Sequence, residues 1–137
     1  MSPSVERITR EEMLAEFGAR GVENPSVVDL IALDAASDQV VVLAMLERRP
    51  WGQDRAQLRQ IEEKLNRYLG YVLDGFFIQQ FPRHAGRRIR LRLDCAEAPH
   101  GTAIAFLDAA RHAVEHQGLE FEVNVVAATP ASDGSSL

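Results

Sequence analysis

Two hydrophobic periods divide this chain, and the places where one gives way to the other predict its elements. After the Asn24-Pro25 breaker, "SVVDLIALD" and "QVVVLAMLE" are apolar on both faces and flank the turn-prone Ala35-Ala36-Ser37-Asp38, which predicts a β-hairpin. In the second strand Val40, Val42, Ala44 and Leu46 point one way, and Val41, Leu43 and Met45 the other. A strand apolar on both sides is central or covered twice. Further on, "RRIRLRLDC" and "LEFEVNV" alternate strictly. Ile89, Leu91, Leu93 and Cys95 oppose Arg88, Arg90, Arg92 and Asp94, while Leu119, Phe121, Val123 and Val125 oppose Glu120, Glu122 and Asn124. Each predicts a strand with one dry and one wet face.

Between the strands the period becomes helical. Past Pro50-Trp51-Gly52, with Asp54 and Gln57 as a cap, Leu58, Ile61, Leu65, Tyr68, Leu69, Val72 and Phe76 recur at three- and four-residue spacing, the stripe of an amphipathic helix. It is expected to end near Asp74-Gly75, with "FFIQQFP" as a short extension to Pro82. A second helix is predicted over Thr102 to Gln117, its stripe Ala103, Phe106, Leu107, Ala110 and Val114, stopped at Gly118. Upstream, Thr9-Arg10-Glu11-Glu12 is a capping box with Ile8 and Met13 as a hydrophobic staple. It opens a short helix with Met13, Leu14 and Phe17 on one edge, ended by Gly18 or Gly21.

The order is a short helix followed by ββαβαβ. Right-handed crossovers and a strand order 1-2-3-4 put both long helices on one side of the sheet. The expected fold is α+β, a two-layer sandwich with a four-stranded mixed sheet, two long helices on one face and a short N-terminal helix. Residues 1–24 are read as an N-terminal segment, 25–126 as a single domain and 127–137 as a disordered tail.

Composition narrows the function classes more than it names one. The chain has 137 residues, 46% hydrophobic and 26% charged, enough for one core. No apolar run is long enough to span a bilayer, and "MSPSVERITREE" lacks the basic-then-apolar order of a signal peptide. A cytoplasmic protein without membrane association is therefore expected. The lone Cys95 has no partner for an internal disulfide. A net charge of -5 makes nucleic acid an unexpected partner unless a local basic patch supplies the affinity. Lys64 is the single lysine among many arginines, which reads as coding bias.

The candidate patch is Arg83 to Arg92. In the expected sheet Arg88, Arg90 and Arg92 neighbour Glu120 and Glu122, so cross-strand pairing accounts for them. Arg83, His84 and Arg87 have no evident acidic partners, and form the better anion site. Arg48, Arg49 and Trp51 are a second binding candidate, because exposed Trp and Arg make interaction hot spots; a loop tryptophan also serves as a plug for the core. His112 to His116 matches H-x-x-E-H, but the two histidines lie away from the apolar stripe and no third ligand follows. Cys95 shares the buried parity of Leu91 and Leu93, which favours a structural thiol over a nucleophile. Asp94, Glu97 and His100 follow the strand end where open sheets bind ligands. No catalytic residue, metal site or cofactor is assigned.

The stretches "VVDLIALD", "VVVLAMLERRPW", "KLNRYLGYVLDG" and "FPRHAGRRIRLRLDCAEAP" together resemble an uncharacterised bacterial family of small α+β proteins. That domain of unknown function carries a Val-Asp-Leu-Ile strand, a Trp loop and a Leu-Asn-x-Tyr-Leu helix. The resemblance spans about Val27 to Val125 and implies a fold but no activity. The expected function is a non-enzymatic protein-interaction module or homo-oligomer using the apolar outer face of the first two strands, covered by the N-terminal helix, a second copy or another partner. The alternative is anion or nucleic-acid binding through Arg83 to Arg92.

Overall fold

A computed structural model of the chain describes residues 21–23, 28–52 and 55–126. The predicted N-terminal helix, the Asn24-Pro25 breaker, the Asp54 cap and the tail lie outside the described residues. Strands β1 (Leu30–Asp34) and β2 (Ser37–Glu47) form the hairpin, followed by helix α1 (Gln57–Leu73), short helix α2 (Phe76–Gln80) and a 3-10 turn at Pro82–His84. Strand β3 (Arg88–Cys95), helix α3 (Thr102–His116) and strand β4 (Glu120–Val125) complete the chain order. The fold is α+β, and its four-stranded sheet has the order β1-β2-β3-β4. β1 is antiparallel to β2, whereas β2, β3 and β4 run parallel.

The hairpin turn is tighter than its sequence suggests. Ala35 and Ala36 alone separate the strands, because the Asp34 carboxylate accepts the Ala36 N–H at 3.0 Å and Ser37 Oγ accepts the Gln39 N–H at 3.1 Å. These side-chain bonds replace the backbone partners that a longer loop would need.

One continuous core joins Ile31, Val41, Leu43, Met45, Leu91, Leu93, Cys95 and Phe121 of the sheet to Ile61, Leu65 and Tyr68 of α1 and Ala103, Leu107 and Val114 of α3. The two helices thus supply their predicted apolar stripes to the same side of every strand. At the lower end, Phe77 stacks on the buried His84 ring, with centroids 5.7 Å apart and planes within 4°. Tyr71 meets Phe77 edge-on, and Phe81 lies at 5.6 Å from it. The short extension expected after the long helix is a separate short helix that forms an aromatic closure, started by Gly75 at φ 88°, a left-handed turn that favours glycine.

α1 begins after Ala56, without a side-chain cap. Gln57 does a different job from the cap expected of it: its amide accepts the Gly52 N–H at 3.1 Å and donates to Pro50 O at 3.2 Å, fixing the loop that carries Trp51.

Candidate functional site

The arginine stripe is largely neutralised inside the sheet. Arg90 bonds Glu120 and Asp34, both at 2.9 Å, and Arg88 lies 3.5 Å from Glu120. Arg92 departs from the expected cross-strand partner: it makes two bonds, of 2.7 and 3.0 Å, to Asp94 on its own strand. Asp94 is in turn fixed by Asn124 at 3.1 Å. The Asp34–Arg90 pair thus spans β2, joining β1 to β3.

The two candidate binding clusters sit at opposite ends of the sheet. The parallel register runs from Val40↔Arg88 to Glu47↔Cys95, so Arg48, Arg49 and Trp51 lie about 20 Å from Arg83, His84 and Arg87 at a rise of ~3.3 Å per residue. At the first end, Arg49 forks onto the buried Glu47 carboxylate at 2.9 and 2.8 Å. The Trp51 ring is buried and its indole N–H donates to Glu97 O at 2.8 Å, tying this loop to the one after β3; Arg48 is exposed. At the other end, Arg87 donates to Asp38 O at 2.6 Å and Arg83 O at 2.8 Å, and contacts His84 Nδ1 at 2.8 Å. Its guanidinium braces the hairpin turn. Arg83 is exposed, and His84 is buried.

The catalytic candidates are not assembled. Cys95 and His84 stand at opposite ends of β3. Burial, followed by the charges of Asp94 and Glu47, pushes the Cys95 thiol up to about 11, the reverse of what a nucleophile needs. His112 and His116 are exposed, and the described residues hold no group of three or more His, Cys, Asp and Glu side chains placed for a metal ion.

A buried polar network went unread in the sequence. Lys64 Nζ, fully buried, donates to Asp29 Oδ1 at 2.8 Å and Gly21 O at 2.7 Å. Asp29 also accepts Gly21 N–H at 3.0 Å and Leu46 N–H at 2.9 Å. Tyr68 O–H accepts Asp29 N–H at 2.9 Å and donates to Ala44 O at 2.7 Å. Burial lowers the Lys64 pKa, against the opposing charge of Asp29, and raises that of Tyr68 well above its ordinary value. Sealed from solvent, the network is a clamp between α1, β2 and the chain before β1. Its one signal in the sequence is that Lys64 is the only lysine.

Exposed apolar surface lies elsewhere than on the outer side of β1 and β2, where Val40, Val42 and Ala44 are at most 1% exposed. One cluster of it lies beside β4, where Ile104 is 58% exposed and Val125 and Val126 are each 47% exposed; Leu33, Leu73 and Phe76 are exposed elsewhere. A shallow groove there is lined by Ile104, Leu107, Phe121, Val123 and Val125, with Asp108 and Arg111 among its polar residues. β4 closes the sheet on this side. Val126 N–H donates to Cys95 O at 2.9 Å, and backbone groups alternate in direction along a strand. The N–H and C=O of Phe121, Val123 and Val125 therefore face away from β3, along an edge that no strand among the described residues pairs with.

Among the described residues no helix is long and apolar enough to cross a membrane. No curated protein and no solved structure matches the chain. Residues 20–127 match a family of unknown function, DUF6572, so the strands, the Trp51 loop, the Lys64 clamp and the β4 edge all lie within the matched span, and the chain belongs to that family.

Proposed function

We propose that this protein is a non-enzymatic interaction module that binds another polypeptide along the β4 edge and the groove between β4 and α3. The observation that carries the reading is the coincidence of exposed Ile104, Val125 and Val126 with an open strand edge. Edge strands offer a row of unpaired backbone groups, and proteins that do not use them guard them with charge, bulges or proline. β1, the opposite edge, shifts its register between Leu33 and Asp34. β4 pairs with β3 in unbroken register, and its groove-side residues Phe121, Val123 and Val125 are all apolar. Strand addition to such an edge supplies main-chain hydrogen bonds, and the adjoining groove supplies side-chain contacts.

This places the interaction on the edge of the sheet instead of the outer face of β1 and β2, whose apolar residues are already buried. Anion or nucleic-acid binding through Arg83 to Arg92 draws less support, because Arg88, Arg90 and Arg92 face carboxylates and Arg87 holds carbonyls. Co-purification from the native host, comparing the full chain with Ile104→Glu, tests the reading. Interactors, including a second copy of the chain, that are retained by the wild type and lost from the variant support it. Identical sets, with both proteins folded, overturn it.

A further inference from the structure

The geometry points to a second copy of this chain as the occupant of the β4 edge, paired antiparallel about a two-fold axis through Val123; this rests on the interaction reading above. Three observations select that partner and that register. The first is direction: Phe121, Val123 and Val125 face outward along the edge, as the Val126 bond to β3 requires. With Val123 opposite its own copy, Phe121 falls opposite Val125 of the second molecule. All three outward residues of each strand then enter hydrogen-bonded pairs.

The second is charge. This register sets Glu122 opposite Asn124 of the other copy. Moving the axis one residue toward Glu120 would put the two Glu122 carboxylates directly opposite each other, a like-charge contact that destabilises a sheet. Moving it one residue the other way leaves Phe121 without a partner inside Glu120–Val125. The charged side chains lining the groove are each ion-paired within the chain, Arg111 with Asp108 one helical turn away and Glu122 with Arg90 at 3.7 Å. Two such rims meet without net repulsion.

The third is shape. On the helix-covered side the same register joins Phe121, Val123 and Val125 of the two copies into one apolar strip, flanked by both Ile104 side chains, which are more than half exposed in the single chain. A two-fold pairing of this kind is isologous: each copy supplies the surface that the other needs.

Sedimentation equilibrium on the full chain tests the pairing with two variants. The wild type is expected to be a dimer whose dissociation on dilution is fully reversible. Val123→Pro removes an N–H that points away from β3, so the monomer keeps its ladder, checked by circular dichroism, while the dimer Kd rises by more than about tenfold. Asn124→Lys places a cation opposite Glu122 of the second copy and is expected to tighten the dimer. A wild type monomeric at every concentration, or a dimer indifferent to both variants, overturns the self-pairing. In the first of those cases, partners lost on Ile104→Glu would still support the interaction module, so the two ideas fail separately.

Discussion

Asp29, itself buried, collects three donors, the amides of Gly21 and Leu46 and the ammonium of Lys64, and this concentration of charge makes it a sensitive point of the fold. Removing one partner of a buried pair costs more than the pair contributes, because the remaining charge stays behind without compensation. Lys64→Met is therefore expected to destabilise the fold by about 3–5 kcal/mol in urea denaturation. Tyr68→Phe leaves Asp29 N–H and Ala44 C=O without their phenol partner and should cost about 1–3 kcal/mol. If both variants unfold at the wild-type midpoint, the clamp is not structural. Cys95 makes a pH-dependent prediction. Its thiol titrates at about 11 in the fold against 9.0 ordinarily, so between those values the unfolded chain has lost the proton that the native chain keeps. Stability from this group is complete below pH 9 and falls as pH rises toward 11. Comparing wild type with Cys95→Ser over that range should show the extra alkaline loss in the wild type alone. At residue scale the sequence was least legible. Nothing about the spacing of Asp29, Lys64 and Tyr68 announces that they meet, since the contacts cross three elements, and a lone lysine is a weak sign. Trp51, by contrast, offered two readings in the sequence, and the fold sinks its ring into the core with a carbonyl partner for its N–H.

The elements themselves were written plainly, because each strand and helix repeats its period over enough residues to define a face. β3 and β4 alternate, α1 and α3 carry stripes at three- and four-residue spacing, and those residues reappear in or against the core except Val125 and Phe76, which are 47% and 54% exposed. What periodicity does not encode is the role of an element's ends. Arg87 looked like a free cation before a strand; its guanidinium spans from Arg83 O to Asp38 O and so holds the start of β3 against the hairpin turn. Arg87→Ala should lower stability by about 1 kcal/mol, and leave low-salt heparin retention unchanged. Heparin retention that falls with the substitution would return Arg87 to the anion-binding reading. Arg92 gives the same lesson on a smaller scale: its spacing from Asp94 put both on one face, but only the geometry of the strand end decided that they pair with each other before Glu122.

At the scale of the whole molecule, the sheet has two edges of different character. β1 shifts register between Leu33 and Asp34, whereas β4 is regular, apolar toward the groove, and bordered by Ile104, Val125 and Val126. The sequence showed the apolar half of β2 and so directed attention to the outer face of the hairpin. The expected strand order already makes β4 an edge, but the inward parity of Val125 hides the exposure that the structure gives it. The interaction and self-pairing proposals both rest on the outward N–H groups of Phe121, Val123 and Val125, and amide hydrogen exchange reads those groups directly. With increasing protein concentration, exchange at Phe121, Val123 and Val125 is predicted to slow markedly while the amides of β1 keep their rates. Rates at these three amides that stay fast and independent of concentration, in a protein otherwise folded, would contradict the self-pairing.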